Sequence, residues 1–175
     1  MVDQARASHL AKEGFDLWQA GELEAAIPKY AEALELADPA HYGLPDYLSE
    51  FGALLSALGR NEEALRQFQR ALTHELHEDP GAEHAAVGVA TSFLGEHLLK
   101  LRRYAEALQT IEASPALRGR TEWLLRFVEA HALRGLNRGN EAKVSATRAI
   151  ACAPSKEKSA ELASQLAEIL DMEAG

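Results

Sequence analysis

Small side chains recur along the chain at fixed intervals, inside runs whose apolar positions keep the period of an α-helix. The first set is Gly14, Ala26 and Ala33; the second is Gly52, Ala64 and Ala71. The third is Gly95, Ala107 and Ser114, and the fourth is Ala130, Ala142 and Ala149. In each set the second member comes twelve positions after the first, and the third comes seven beyond that. A leucine lies three positions after each first member: Leu17, Leu55, Leu98 and Leu133. That spacing keeps it on the same helical face, one turn on. Four positions after each second member come Tyr30, Phe68, Ile111 and Ala146. A twelve-residue interval holds two turns of helix, a reversal and the start of a return. The pattern therefore predicts pairs of helices that touch where side chains are smallest. The larger residues would fill the space between one pair and the next.

Start and stop signals place nine helices. The first runs from about Asp3 to Ala20 and stops at Gly21; the second runs from Glu22 to Ala37, before Asp38 and Pro39. Pro28 lies one to two turns into the second, where it removes a backbone hydrogen bond and can bend the axis. A linker over 40–44 leads to Pro45 and a third helix from Asp46 to Leu58, stopped by Gly59. Asn61 caps a fourth that reaches about Glu78, with Glu62 and Glu63 at its positive end. The fifth covers Ala82 to Leu101 and is followed by a tight turn at Arg102 and Arg103. The sixth is short, Tyr104 to Ala113, because Ser114-Pro115 interrupts it. Residues 116–119 make a turn or a single helical loop. Thr121 caps a seventh helix ending near Arg134, Gly139 or Asn140 opens an eighth that ends before Pro154, and Ser155 caps a ninth. In the ninth, Leu162, Leu166, Ile169 and Leu170 share one stripe, while Lys156, Lys158, Glu161 and Glu168 stay in water. No run alternates with the period of a strand. The class is all-α, and the short connections make sequential helices antiparallel neighbours.

Composition supports this without changing it. Aromatic residues are 6% of the 175 and hydrophobic residues 47%. Alanine and leucine, which enter helices with little loss of rotamer freedom, dominate the apolar set. Charge does change the picture. A formal net charge of −9 repels phosphate backbones, so no nucleic-acid partner is expected. Cys152, the single cysteine, permits no intrachain disulfide and reads as a packed thiol near a helix end. Residues 1–20 lack the apolar core of a signal segment, and no stretch approaches membrane-spanning length. A cytoplasmic location without a membrane partner is the resulting expectation.

The four sets resemble the tetratricopeptide repeat family, whose pattern of large residue, Leu-Gly, large residue, Ala, aromatic, Ala and Pro recurs at about 34 residues. The first copy reads Leu10, Glu13-Gly14, Leu17, Ala26, Tyr30, Ala33, Pro39, and the second Leu48, Phe51-Gly52, Leu55, Ala64, Phe68, Ala71, Pro80. The third reads Thr91, Leu94-Gly95, Leu98, Ala107, Ile111, Ser114, and the fourth Arg126, Glu129-Ala130, Leu133, Ala142, Ala146, Ala149, Pro154. Successive copies are 38, 43 and 35 residues apart, which predicts an irregular superhelix. The resemblance implies one domain over 1–175, a right-handed α-solenoid of about four helix-turn-helix repeats (about 7–40, 45–80, 82–114 and 121–154). A capping helix over 155–172 completes it.

The resemblance also implies a concave groove lined by the first helix of each pair. Lys12, Phe15, Trp18 and Gln19 would face it from the first repeat, and Ser49, Glu50, Ala53 and Ser56 from the second. Ser92, Glu96 and Lys100 would follow from the third, and Phe127, His131 and Arg134 from the fourth. Such a mixture suits an extended or helical peptide. One subclass of the family clamps chaperone C-terminal carboxylates with Lys and Asn, but Ala11 and Phe15 occupy the matching first-repeat positions, so no chaperone tail is assigned. His74, His77 and His84, beside Glu75, Glu78 and Asp79, form the one metal-like cluster; it reads as a surface feature at a helix end. No phosphate loop or catalytic spacing is present, and neither a cofactor nor a metal is expected. The expected function is a non-enzymatic adaptor for a protein or peptide. The rival readings are a small chaperone for secreted or assembling clients and a structural homodimer that buries the alanine-rich fourth repeat or the ninth helix.

Overall fold

A computed structural model describes residues 2–78 and 85–172. Two compact units divide the chain, Met1–His74 and Glu75–Gly175. Among the described residues every regular element is helical. The first unit holds α1 (Gln4–Gln19), α2 (Leu23–Leu36), α3 (Leu44–Ala57) and most of α4 (Asn61–Glu78). The second holds α5 (Ala85–Lys100), α6 (Tyr104–Glu112), a 3₁₀ turn (Pro115–Arg118), α7 (Glu122–Gly135), α8 (Gly139–Ala151), α9 (Lys156–Gln165) and α10 (Ala167–Leu170).

The predicted reversals are built in the same way four times. Seven residues after the first small residue the backbone enters the left-handed region, at Gly21 (φ 83°), Gly59 (φ 74°), Arg102 (φ 59°) and Asn137 (φ 60°). The leucine three positions after that small residue closes the turn. Leu17, Leu55, Leu98 and Leu133 each accept a backbone hydrogen bond from the residue five positions on, all at 2.9 Å. This six-to-one bond satisfies a carbonyl that the helix end would otherwise strand. Glycine takes positive φ freely and asparagine tolerates it, but arginine carries a Cβ penalty there. Arg102→Gly is therefore expected to raise stability by roughly 0.5–1 kcal/mol, read as a higher midpoint in urea.

The first small residue of each of the first three sets receives the large residue sixteen positions later. A Cβ on Gly14 would lie 2.9 Å from the Tyr30 ring, and one on Gly52 would lie 3.0 Å from the Phe68 ring. One on Gly95 would meet Ile111 at 3.2 Å and Val128 at 2.8 Å. Tyr30, Phe68, Ile111 and Ala146 are all buried, as are Ala26, Ala64, Ala107 and Ala142. In the first unit the Tyr30 ring also stacks on Phe51 of α3, with centroids 5.8 Å apart. This is the predicted filling between one helical pair and the next. Ala7, Ala37, Leu44, Leu48 and Ala71 form a separate buried cluster in the same unit.

Several boundaries differ from the sequence reading for local reasons. Helix α3 begins at Leu44, two residues early, because Pro45 fits the first turn, where no N–H is needed. Thr121 occupies the cap position of α7, but its side chain makes no capping bond. The predicted ninth helix is two pieces that meet at Leu166, and the apolar stripe survives: Leu162, Leu166 and Ile169 are buried. Ser155 caps α9 as expected, accepting from the Lys158 N–H at 3.1 Å. Pro28 lies inside α2 without ending it; its exposed position leaves the unpaired carbonyl one turn earlier within reach of water. Helix α6 stops at Glu112, as Ser114-Pro115 requires: Pro115 holds Ser114 extended at ψ 126°.

Candidate functional site

The proposed contact residues of the first unit lie on α1 and α3. Helix α1 buries Ala7, Leu10, Ala11 and Gly14, so positions 12, 15 and 19, at helical spacing, share a face turned away from that stripe. Lys12 and Gln19 are exposed there, and Lys12 Nζ donates to Asp16 at 2.6 Å. Phe15 keeps 38% of its surface open. Its ring meets Trp18 edge to face, with centroids 6.2 Å apart. On α3, Ser56 is half-buried. Glu50 is half-buried as well and accepts a 2.9 Å hydrogen bond from the Tyr30 hydroxyl. Burial pushes its carboxyl up, the Tyr30 bond counters this, and nearby Asp46 adds to the rise. Glu50 thus ties α2 to α3 as well as facing outward.

In the second unit Glu96 and Lys100 are exposed on α5. The Glu96 carboxyl is raised by the protein packed around it, although its side chain remains accessible. His131 packs edge-on against Phe127 at 4.7 Å. Burial holds the His131 imidazole below its usual range, with help from Arg134 and against the pull of Glu168, so it is neutral at pH 7. His131 and Arg134 line a cleft of about 470 Å³ with Leu99, Tyr104 and Asn137. Arg134 is paired with Glu168 of α10 at 2.7 Å.

The structure also assembles a cluster that the periodicity does not announce. Glu122, 7% exposed, accepts from Arg148 Nε at 2.8 Å and from Arg148 Nη2 at 3.0 Å. Arg126 donates to Glu122 at 3.3 Å and to Glu129 at 2.8 Å. The Ser145 hydroxyl donates to Glu129 at 2.7 Å. The Arg148 guanidinium, with Arg126 and the Cys152 thiol behind it, holds the Glu122 carboxyl at about 2. Burial and Glu122 push the Cys152 thiol up, which lowers its thiolate fraction and its reactivity. One signal for this cluster stands in the sequence. Arg126 and Glu129 occupy positions that are Leu48 and Phe51 in the second set.

His74 Nε2 lies 3.0 Å from the Pro39 carbonyl, and His84 falls outside the described residues. Among the described residues no three His, Cys, Asp or Glu side chains gather as metal ligands would. Nor is any helix among them long and apolar enough to cross a membrane.

Residues 4–74 match the tetratricopeptide repeat family model. No curated protein matches the chain. Solved structures share its fold. A putative kinesin light chain with nearly identical TPR-like repeats, from Podosopora anserina, aligns at TM-score 0.69 with 14% identity, over 97% of each chain. MamA from Desulfovibrio magneticus RS-1 aligns at TM-score 0.64 with 17% identity, over 95% of this chain and 94% of that one. YrrB, a TPR protein with an unusual peptide-binding site, aligns at TM-score 0.59 with 21% identity, over 91% of this chain and 84% of its own.

Proposed function

From a chain whose residues 4–74 match tetratricopeptide repeats and whose fold is that of solved proteins of that kind, we propose a non-catalytic module that binds a protein or peptide segment. Contact is made on the open faces of the first helices of its hairpins. The observation that carries this is the Phe15–Trp18 pair. Helix α1 packs one stripe inside, and Phe15, 38% exposed, stands edge to face against Trp18, which is half-buried at the end of that stripe. Aromatic side chains supply large contact area at low entropy cost, and they dominate binding hot spots. Lys12 and Gln19 beside them offer the polar rim such a contact uses. The peptide-binding site reported for YrrB supports a peptide as the ligand class.

Peptides recovered by affinity purification with the full chain would be titrated against Trp18→Ala and Glu96→Ala. Trp18→Ala is expected to weaken binding about tenfold or more, with circular dichroism confirming an intact fold. Unchanged affinity in both variants would remove these faces from the site.

A further inference from the structure

The fourth repeat is basic in an otherwise acidic chain. Residues 115–153 hold seven Lys and Arg against three Glu, a local charge of +4 where the whole chain carries −9. Within this segment Arg118, Glu122, Arg126, Val144, Ser145 and Arg148 line a cleft of about 370 Å³. The 3₁₀ turn, α7 and α8 build it. It lies beside the end of α6, where Ser114-Pro115 stops that helix and the 3₁₀ turn brings Arg118 to the rim.

Charge balance in the cleft is incomplete. Glu122 and Glu129 orient two guanidinium groups, those of Arg126 and Arg148. Each guanidinium has five donors in a fixed fork, and the hydrogen bonds among the described residues use two on Arg126 and two on Arg148. Arg118 is exposed and, among the described residues, has no hydrogen-bond or ion-pair partner. Three arginines thus face two carboxylates. A second cleft of about 410 Å³ adjoins the first and shares Val144 and Arg148 with it. Lys143, whose Nζ donates to the Met172 carbonyl, Thr147 and Ala151 also line it, and Val144, 71% exposed, stands between the two. This face of α7 is separate from that of Phe127 and His131. Positions 122, 126 and 129 share one side of the helix, and positions 127, 131 and 134 share another about 140° around.

We propose that this paired cleft is a second docking surface, taking a segment of a partner protein in which an Asp or Glu sits beside an aliphatic or aromatic residue. The acid completes the charge balance on Arg118 and on the free donors of Arg126 and Arg148, and the apolar neighbour covers Val144. One carboxylate matches the surplus of one positive charge among Arg118, Arg126, Arg148, Glu122 and Glu129. A phosphate dianion or a polyanion would overshoot it there and would meet Glu122, Glu129 and the acidic remainder of the chain.

The full chain would select heptapeptides from a random displayed library, and labelled synthetic copies would be titrated by fluorescence anisotropy. The selected peptides should carry Asp or Glu next to Leu, Ile or Phe. Converting that acid to its amide should weaken binding about tenfold or more, and so should Arg118→Glu. Because Arg118 is exposed and unpaired, its reversal should leave the thermal melt unchanged. Val144→Asp should abolish the preference for an apolar neighbour. Peptides without an acid, or binding unaffected by both Arg118→Glu and Val144→Asp, would overturn the assignment, as would recovery of no peptide. Competition by inorganic phosphate or by a single-stranded oligonucleotide at equal strength would replace it with a general anion site. Loss in Trp18→Ala but not in Arg118→Glu would place the peptides on α1 instead. Self-association that grows with concentration and vanishes in Arg118→Glu would make a second copy the occupant and overturn a foreign partner.

Discussion

Replacing Tyr30 with alanine is expected to lower the unfolding free energy by about 3–5 kcal/mol. Tyr30 has no exposed surface. Its ring stacks on Phe51 with 20° between the planes, fits over Gly14, and has its hydroxyl held by Glu50. Truncation would empty that space and also remove the hydroxyl that donates to the Glu50 carboxylate. Gly14→Leu tests the same contact from the other side. A Cβ there would already fall 2.9 Å from the ring, so the larger side chain should cost about 1–3 kcal/mol. If the glycine and the ring share one space, the double variant loses less than the two singles together, by roughly 0.5–3 kcal/mol. The replacement leucine then occupies part of the volume the tyrosine left, and it favours the helix more than glycine does. Urea denaturation of the four proteins measures this. Strict additivity would mean that the ring and the glycine do not compete for space.

That contact also marks how far the sequence could be read. The first eight helices, the hairpin turns and the short α6 were legible because they follow from glycine, proline and apolar spacing, which act within a few residues; the break of the ninth at Leu166 was not. The small residues were legible as points of close approach. Their partners were read as the small residues twelve positions on, whereas the structure also sets Gly14 under Tyr30, Gly52 under Phe68 and Gly95 under Ile111. Sixteen residues span a whole reversal, and local periodicity does not say which side chains face each other across it. The same rule accounts for the fourth repeat, where Ala130 and Ala146 are both small and both buried. The open faces were partly legible. Lys12, Phe15, Gln19, Glu96 and Lys100 are exposed as helical spacing implies, but Glu50 also has a structural bond to Tyr30 that spacing could not reveal. The Glu122 cluster was hidden because it joins residues 26 positions apart, Glu122 and Arg148, by charge and not by apolar pattern.

The Glu122 cluster should make the second unit sensitive to acid. Glu122→Ala is expected to cost about 2–3 kcal/mol at neutral pH, below the usual penalty for breaking a fully buried pair because Arg148 is half open to water. The loss arises less from the missing attraction than from Arg126, which would keep a partly buried charge with only Glu129 beside it. Acid should produce the same loss in the unmutated protein. The folded carboxyl titrates at about 2, against an ordinary 4.5. The unfolded chain therefore binds its proton first, and the stabilisation is complete above 4.5 and is lost as pH falls toward 2. The difference in stability between the parent and Glu122→Ala should accordingly be constant from pH 7 to about 5 and shrink steadily below that. Glu122→Gln keeps the shape and removes the charge, so it should fall between the two. Hydrogen exchange read along α7 and α8 locates the effect, since local opening in repeat folds need not spread to other repeats. A gap that stays constant down to pH 2.5 would show that the carboxylate's charge is not what stabilises this hairpin.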